Sequence, residues 1–327
     1  MVEQSAPIIG FDEQILDSLK KTLVENFRPH LENKDAIFID YPVHLNVGDL
    51  LIAEGTEALF RALDVNITAR ISERNQERLF SKKIPKETVL VLHGGGNFGD
   101  LYPHHQSLRE RVIESFPENT ILIMPQSVHY QDPTQLTQKV PLFKSHNNLY
   151  MFVRDEHSFE VMSEAFDDEH LKLLPDMAFA MSDRWKGIVR TSEGTLSLRR
   201  RDIEATDTSE DGDRFDWDDL FKPFDERCYN IARRLARYEN KLLLNLGLDA
   251  FWKWYSNNLV QRGVEKFTSY SVVDTDRLHG MILSLLVGND VVMRDNSYGK
   301  LQRYASCWLG LKLEGEEPQS IKKAANE

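Results

Sequence analysis

One ten-residue stretch, Ser271-Val-Val-Asp-Thr-Asp-Arg-Leu-His-Gly280, gathers residue types that could do chemistry. Val272 and Val273 read as the end of a buried strand, and the apolar run that starts at Met281 as the first turns of a buried helix. A strand that hands over to a helix aims free backbone N–H groups, here those around Leu278, His279 and Gly280, at one spot, together with the positive end of the helix dipole. Arg277 adds a guanidinium, His279 a group that exchanges protons near neutral pH, and Asp276 a carboxylate able to orient the histidine. Such a turn suits an anion that must also be handed a proton.

Other polar residues share that placement. Arg154, Arg199 and Arg200, like Arg277, fall at predicted strand ends, where a planar guanidinium can grip carboxylate or phosphate through paired hydrogen bonds. A single arginine of this kind is usually a structural ion pair; several on one edge point to an anion site. Gly94, Gly95, Gly96 and Asn97 follow a strand and read as a glycine-rich turn, either a plain tight turn or one that lets backbone approach a ligand. No Gly-Lys-Ser/Thr follows, and the spacing departs from G-x-G-x-x-G. His93, His104, His105 and His129 lack carboxylates or cysteines at metal-ligand spacing, and Ser127 lacks the G-x-S-x-G elbow.

The elements that must position these residues alternate strand and helix. Residues 11–33 show helical spacing ended by Pro29. Strands are predicted at 36–41, 88–93, 119–127, 149–155 and from 171, and helices follow 49, 107 and 158. That alternation predicts an α/β fold, a parallel sheet covered on both faces, with ligands beyond the carboxyl ends of its strands. Residues 182–194 are a linker between a first unit, 1–182, and a second, 195–327. In the second, 195–200 is a strand, 202–219 an acidic solvated loop or lid, and 228–267 largely helical with a break at 245–249. A strand at 290–294, a polar turn at 296–300 and a helix at 301–309 close the pattern. Phe251, Trp252, Trp254 and Tyr255 are assigned to helix packing rather than to a sugar platform.

Composition excludes several classes. A net charge of −12 argues against general nucleic-acid binding. Two distant cysteines, Cys228 and Cys307, suit a reducing compartment, and the first ten residues lack the pattern of a signal peptide. No apolar run reaches the roughly 18 residues a transmembrane helix needs. A cytoplasmic protein is expected, with peripheral work at the inner face of a membrane left open.

Taken in order, Asn46-x-Gly48-Asp49, His93-Gly-Gly-Gly-Asn97, Pro125-Gln-Ser127, Arg154-Asp155-x-x-Ser158, Pro175-Asp176-x-x-Phe179 and Thr275-Asp-Arg-Leu-His-Gly280 resemble the polysaccharide pyruvyltransferase family. Asp295-Asn-Ser-Tyr-Gly-Lys300 is similar to its exopolysaccharide branch, although Met281 stands where that branch often has a second histidine. The resemblance implies two Rossmann-like domains facing across a cleft, as in the GT-B glycosyltransferases. It implies phosphoenolpyruvate as donor and a pyruvate ketal across two saccharide hydroxyls as product, with no metal or other cofactor required. His279 is then the expected general acid, with Asp276 to orient it or Asp49 or Asp155 to accept a hydroxyl proton, a structural role being the alternative for each carboxylate. Arg277, Arg154 and Arg199 or Arg200, with the N–H groups at 278–280, hold the donor. Asn46, Gly48, Asp49, Gly94, Gly95, Gly96, Asn97 and Gln126 face the acceptor, which is free or carried on a lipid or a nucleotide. A homo-oligomer is compatible with this reading. The alternatives are a nucleotide-sugar glycosyltransferase of the same architecture and a non-catalytic sugar-binding assembly subunit.

Overall fold

The computed structural model describes residues 7–189, 193–201, 214–294 and 300–311. The chain starts with β1 (Ile8–Ile9) and α1 (Glu13–Leu31), the helix begun by Asp12, whose carboxylate accepts from the N–H groups of Gln14 and Ile15. There follow β2 (Asp35–Ile39), α2 (Val47–Ala62), β3 (Asn66–Ile71), a 3-10 turn (Glu73–Asn75) and the short α3 (Glu77–Phe80). Next come β4 (Val89–Leu92), β5 (Gly95–Gly99), α4 (Pro103–Ser115), β6 (Ile121–His129) and α5 (Pro133–Lys144). β7 (Leu149–Val153), α6 (Glu156–Met162), β8 (Leu171–Leu173) and a 3-10 turn (Met177–Met181) complete the first run. The second run is β9 (Thr195–Leu198), a 3-10 turn (Trp217–Leu220), α7 (Pro223–Leu242), α8 (Leu248–Thr268) and β10 (Val272–Thr275). It ends with α9 (Leu278–Leu286), β11 (Asp290–Met293) and α10 (Lys300–Trp308).

The fold is mixed α/β with parallel sheets. In the first sheet the order is β3-β2-β4-β6-β7-β8, with β5 paired to the far end of β6, and every pair is parallel. Its strands read as continuous apolar runs because both faces are covered: Val89 and Val91 enter one core, Leu90 and Leu92 the other. The second sheet is β1-β11-β10-β9, parallel except for β1, which the N-terminus lends to the edge of β11. The two sheets share a core. Val47 and Leu51 of α2, Trp252 of α8, Leu283 of α9 and Val273 of β10 belong to one apolar cluster. α2 crosses the 3-10 turn at Met177 so closely that a side chain at Gly55 would overlap the Met177 carbonyl.

Three local readings change. α1 continues to Leu31 with Pro29 inside it, because the lost N–H is near the helix end and Glu32 N still reaches the Arg28 carbonyl at 3.1 Å. Residues 95–99 are a strand, β5, not a turn: Gly95 and Gly99 take φ of 122° and 120°, and a Cβ on Gly99 would strike the His129 carbonyl. α4 starts at Pro103 rather than 107, with proline in its first turn, where a missing N–H costs no bond. β1, β3 and α5 had no sequence-level reading. The predicted break in the long helical stretch is found between Leu242 and Leu248. Trp252 and Tyr255 pack inside as expected, whereas Trp254 is 63% exposed. Most of the acidic loop, 202–213, and the polar turn at 295–299 lie outside the described residues.

Candidate active site

His279 occupies the first turn of α9, where β10 hands over to the helix. Arg277 N–H closes that turn on the Thr275 hydroxyl at 3.0 Å. Gly280 is required by the packing, since a Cβ there would lie 2.7 Å from Thr275 Oγ1 and against Leu198. The imidazole is thereby pushed across the junction between the sheets. Its Nε2 stands 3.4 Å from Asp176 Oδ2 and 3.4 Å from Arg154 Nη1. Its Nδ1 faces the N-terminal turn of α2, where a Cβ on Gly48 would be 2.7 Å away and 3.2 Å from Asn46 Oδ1. Glycine at position 48 therefore makes room for the ring, beside the Asn46 amide that caps α2.

The partners of His279 are held from several sides. Arg154 leaves the end of β7 and donates from Nη1 to Asp176 Oδ2 at 2.6 Å and from Nε to Ser127 Oγ at 3.0 Å. Ser127 in turn donates to Asp155 Oδ2 at 2.6 Å, and Asp155 caps α6 through Ser158 N–H. From α10, Trp308 Nε1 donates to the Arg154 carbonyl at 2.9 Å, and Tyr304 OH accepts from Asp176 N–H at 2.9 Å. Asp176 is fully buried. Burial pushes its carboxyl upward, but the hydrogen bond and charge of His279 and the Arg154 guanidinium outweigh this and hold it well below the usual carboxylate range.

The family pattern described as Polysaccharide pyruvyl transferase matches residues 46–298, spanning this junction and both sheets. The chain belongs to that family. It is 32% identical to the Bacillus subtilis protein named pyruvyl transferase EpsO over 85% of this chain and 86% of the relative. It is 33% identical to Pyruvyl transferase 1 of Schizosaccharomyces pombe, over 86% and 72% respectively. A Klebsiella pneumoniae crystal structure of a protein described as functionally uncharacterized superposes with a TM-score of 0.60 at 18% identity, covering 89% of this chain and 94% of that one. That likeness shows the fold alone. The protein is a polysaccharide pyruvyltransferase, an enzyme of pyruvyl transfer onto glycans.

The pyruvyltransferase brings together His279, Arg154, Gly48 and Asn46, and Gly96 lies beside them: a Cβ there would be 3.4 Å from Arg154 Nη2. Asp49 Oδ1 would be 3.7 Å from a Cβ on Gly95, and Gly94 is pressed to 2.8 Å from the Pro125 carbonyl by the same measure. Gln126 Nε2 donates to the His93 carbonyl at 2.7 Å and to Asn97 Oδ1 at 3.4 Å, while Arg109 holds the Asn97 carbonyl at 3.0 Å. His93 is buried, and desolvation lowers its pKa to about 4, so it is neutral at physiological pH. The other predicted donor residues are engaged elsewhere. Arg199 is paired with Asp274 at 2.7 Å and Arg277 with Asp216 at 2.6 Å. Asp276 accepts from Arg200 N–H at 3.0 Å; burial raises its carboxyl pKa despite that bond and the charges of Arg199 and Arg277. The carboxylate beside His279 is therefore Asp176, a residue that sequence reasoning quoted only within Pro175-Asp176-x-x-Phe179. Tyr304, Trp308 and Asp216 carried no sequence signal at all. A hollow of about 700 Å³ is a separate feature, lined by Lys20, Arg61, Arg184, Lys253 and Trp254. Among the described residues, no helix is long and apolar enough to cross a membrane.

Proposed function

We propose that this enzyme takes pyruvate from phosphoenolpyruvate and sets it across two hydroxyls of a saccharide as a ketal, releasing phosphate, in the building of exopolysaccharide or another cell-surface glycan. The observation that carries the reading is the seat of His279, with Nε2 beside the buried Asp176 and Arg154 and Nδ1 against Gly48.

In this reading the two sheets form two Rossmann-like halves in a GT-B-like arrangement, with the donor at the ends of β10 and β9 and the acceptor at the ends of β2, β4 and β6. Asp176 holds Nε2, and Nδ1–H of the imidazolium gives its proton to the enol CH2, which becomes the pyruvyl methyl group. C2 is then electrophilic, and one sugar hydroxyl adds to it. Phosphate leaves with the electron pair of the C2–O bond, and the second hydroxyl closes the ring. One hydroxyl proton returns to the imidazole and the other departs with phosphate, so atoms and charge balance. Arg277 and Arg154, with Arg200, counter the donor's negative charge, and the Asp216 carboxylate now on Arg277 stands where a donor anion would exchange. The donor is already activated, so no further cofactor is asked for.

Calorimetric titration of the purified enzyme with phosphoenolpyruvate, and with uridine diphosphate for comparison, tests the donor. Saturable phosphoenolpyruvate binding that Arg277→Ala weakens is expected. Tight uridine diphosphate binding with no heat from phosphoenolpyruvate would replace this reading with a nucleotide-sugar donor.

A further inference from the structure

α7 carries an exposed face that neither the fold nor the site uses. Its inner face, Cys228, Ala232, Ala236 and Glu239, is packed against the body of the protein. On the outside Phe224, Ile231, Tyr238 and Leu242 are 64%, 50%, 56% and 51% exposed. The first three are spaced by seven residues, so they return to nearly the same side of the helix and form one stripe. Leu243, Leu244 and Leu246, also exposed, extend it past the helix end. A second stripe, Arg227, Arg234 and Lys241, has the same spacing and lies about 60° round the helix from the first. Arg233 and Arg237 widen it.

The charges on this helix differ from those on the rest of the surface. The chain as a whole has a net charge of −12, and several exposed cations elsewhere are paired, as Arg28 is with Glu32, Arg111 with Glu77 and Arg201 with Asp219, although Lys82, Lys83 and Lys86 have no such partner among the described residues. No carboxylate among the described residues pairs with Arg227, Arg234, Arg237 or Lys241. The acids of α7 point the other way: Asp225 and Glu239 are buried, and Glu226 is the only exposed one. An apolar stripe flanked by cations on one solvent-facing helix is the pattern of a helix lying in the interface of an anionic lipid bilayer. A second copy of the chain would cover the apolar stripe but would bring a second basic stripe to the same seam. Lipid headgroups complement both.

The surface is also rigidly placed. Glu239 accepts from Arg78 Nη1 at 2.6 Å and from Asn75 Nδ2 at 2.7 Å, tying the end of α7 to the first half of the molecule. Glu73 and Arg74, of the same 3-10 turn, line a hollow of about 350 Å³ with Tyr102 and His105. His105 bonds Asp40 at the end of β2 at 2.7 Å, so this hollow opens at the carboxyl edge of the first sheet.

We propose that the outer face of α7 docks the enzyme on an anionic membrane surface, with Phe224, Ile231, Tyr238 and Leu242 in the headgroup layer and Arg227, Arg234 and Lys241 on the phosphates. On the acceptor assignment made above, docking there presents the first sheet's edge to a saccharide carried by a lipid. The docking itself does not depend on which donor or acceptor is used, so its test stands apart from that reading.

The test is flotation of the full chain with vesicles of phosphatidylcholine alone and of phosphatidylcholine mixed with phosphatidylglycerol. Binding to the anionic vesicles only, weakened by salt, is expected. Each basic residue near such a surface contributes roughly fivefold, so the variant Arg227→Glu, Arg234→Glu, Lys241→Glu loses affinity by on the order of a hundredfold or more. Ile231→Ser with Tyr238→Ser loses it as well, while thermal melting of both variants stays unchanged because these side chains are exposed. No binding to either vesicle overturns the proposal, as does binding that both variants retain. A dimer in sedimentation that Ile231→Asp splits would assign the face to a second copy instead.

Discussion

Asp176 Oδ2 stands 3.4 Å from His279 Nε2, although 103 residues separate the two in the chain. The carboxylate also takes the Arg154 guanidinium at 2.6 Å, so it is ionised, buried and aimed at the imidazole. Asp176→Asn keeps the shape and removes the charge. The imidazole then loses the charge that faces its Nε2. Turnover should drop on the order of a hundredfold, with a stability loss of about 3 kcal/mol because Arg154 is left with a buried, unmatched charge. Unchanged turnover in a folded variant would remove Asp176 from the proton-transfer machinery.

Gly48 separates a packing role from a catalytic one. A methyl group there would stand 2.7 Å from His279 Nδ1 and 3.1 Å from Cγ, inside contact distance. The imidazole is the end of a side chain and can swing aside, so Gly48→Ala should cost no more than about 1 kcal/mol of stability. A displacement near 1 Å of the proton donor nevertheless costs roughly a hundredfold in rate. Normal turnover by Gly48→Ala would mean that the Nδ1 corner does not face the reacting carbon.

Arg199 and Arg277 should part company when each is cut to alanine. Arg199 donates to the Asp274 carbonyl at 2.6 Å and pairs with its carboxylate at 2.7 Å, stitching β9 to β10. Its loss is expected to destabilise the fold by about 3 kcal/mol, seen in urea unfolding, with phosphoenolpyruvate affinity within about threefold of wild type. Arg277, at the head of α9, holds Asp216, a partner an incoming anion can replace. Arg277→Ala should weaken phosphoenolpyruvate binding at least tenfold, roughly the worth of a charge-assisted contact. Loss of binding in Arg199→Ala with unchanged unfolding would reverse these roles.

How far the sequence discloses this arrangement follows from how local each signal is. The strand-to-helix turn at 275–280 was legible because a buried strand, a polar turn and an apolar helix are contiguous there. The parallel sheet was legible from continuous apolar runs such as Val89–Leu92, which suit a strand covered on both faces. β5 was not, because Gly95, Gly96 and Gly99 read as a turn, and Gly99 lies beside His129 of β6 only because it has no side chain. The partner of His279 was misplaced for a related reason. Asp276 is near it in sequence, whereas Asp176 is near it only after the 3-10 turn at Met177–Met181 and α9 have met across the junction. The return of α10, which sets Tyr304 on Asp176 and Trp308 on Arg154, is tertiary from end to end.

Asp225 gives a prediction about acid stability that is independent of the site. Arg262 donates to it at 2.6 and 2.8 Å, Tyr255 OH is bonded to it, and Lys222 N–H caps against it at 2.6 Å, locking the start of α7 to α8. Burial raises the Asp225 carboxyl, but Arg262 and the two other bonds outweigh it and lower its pKa from 3.8 to about 2. A carboxylate whose pKa is depressed on folding adds stability above its unfolded pKa and loses that stability as pH falls through the folded one. The contribution is therefore full at pH 7, declines below about pH 4 and is gone near pH 2, and its size is ~2 kcal/mol. Asp225→Asn should unfold at lower denaturant than wild type at pH 7, with the gap closing as the pH is lowered across that window. A gap of the same size at pH 7 and pH 3 would show that the ionised carboxylate is not what locks α7 to α8.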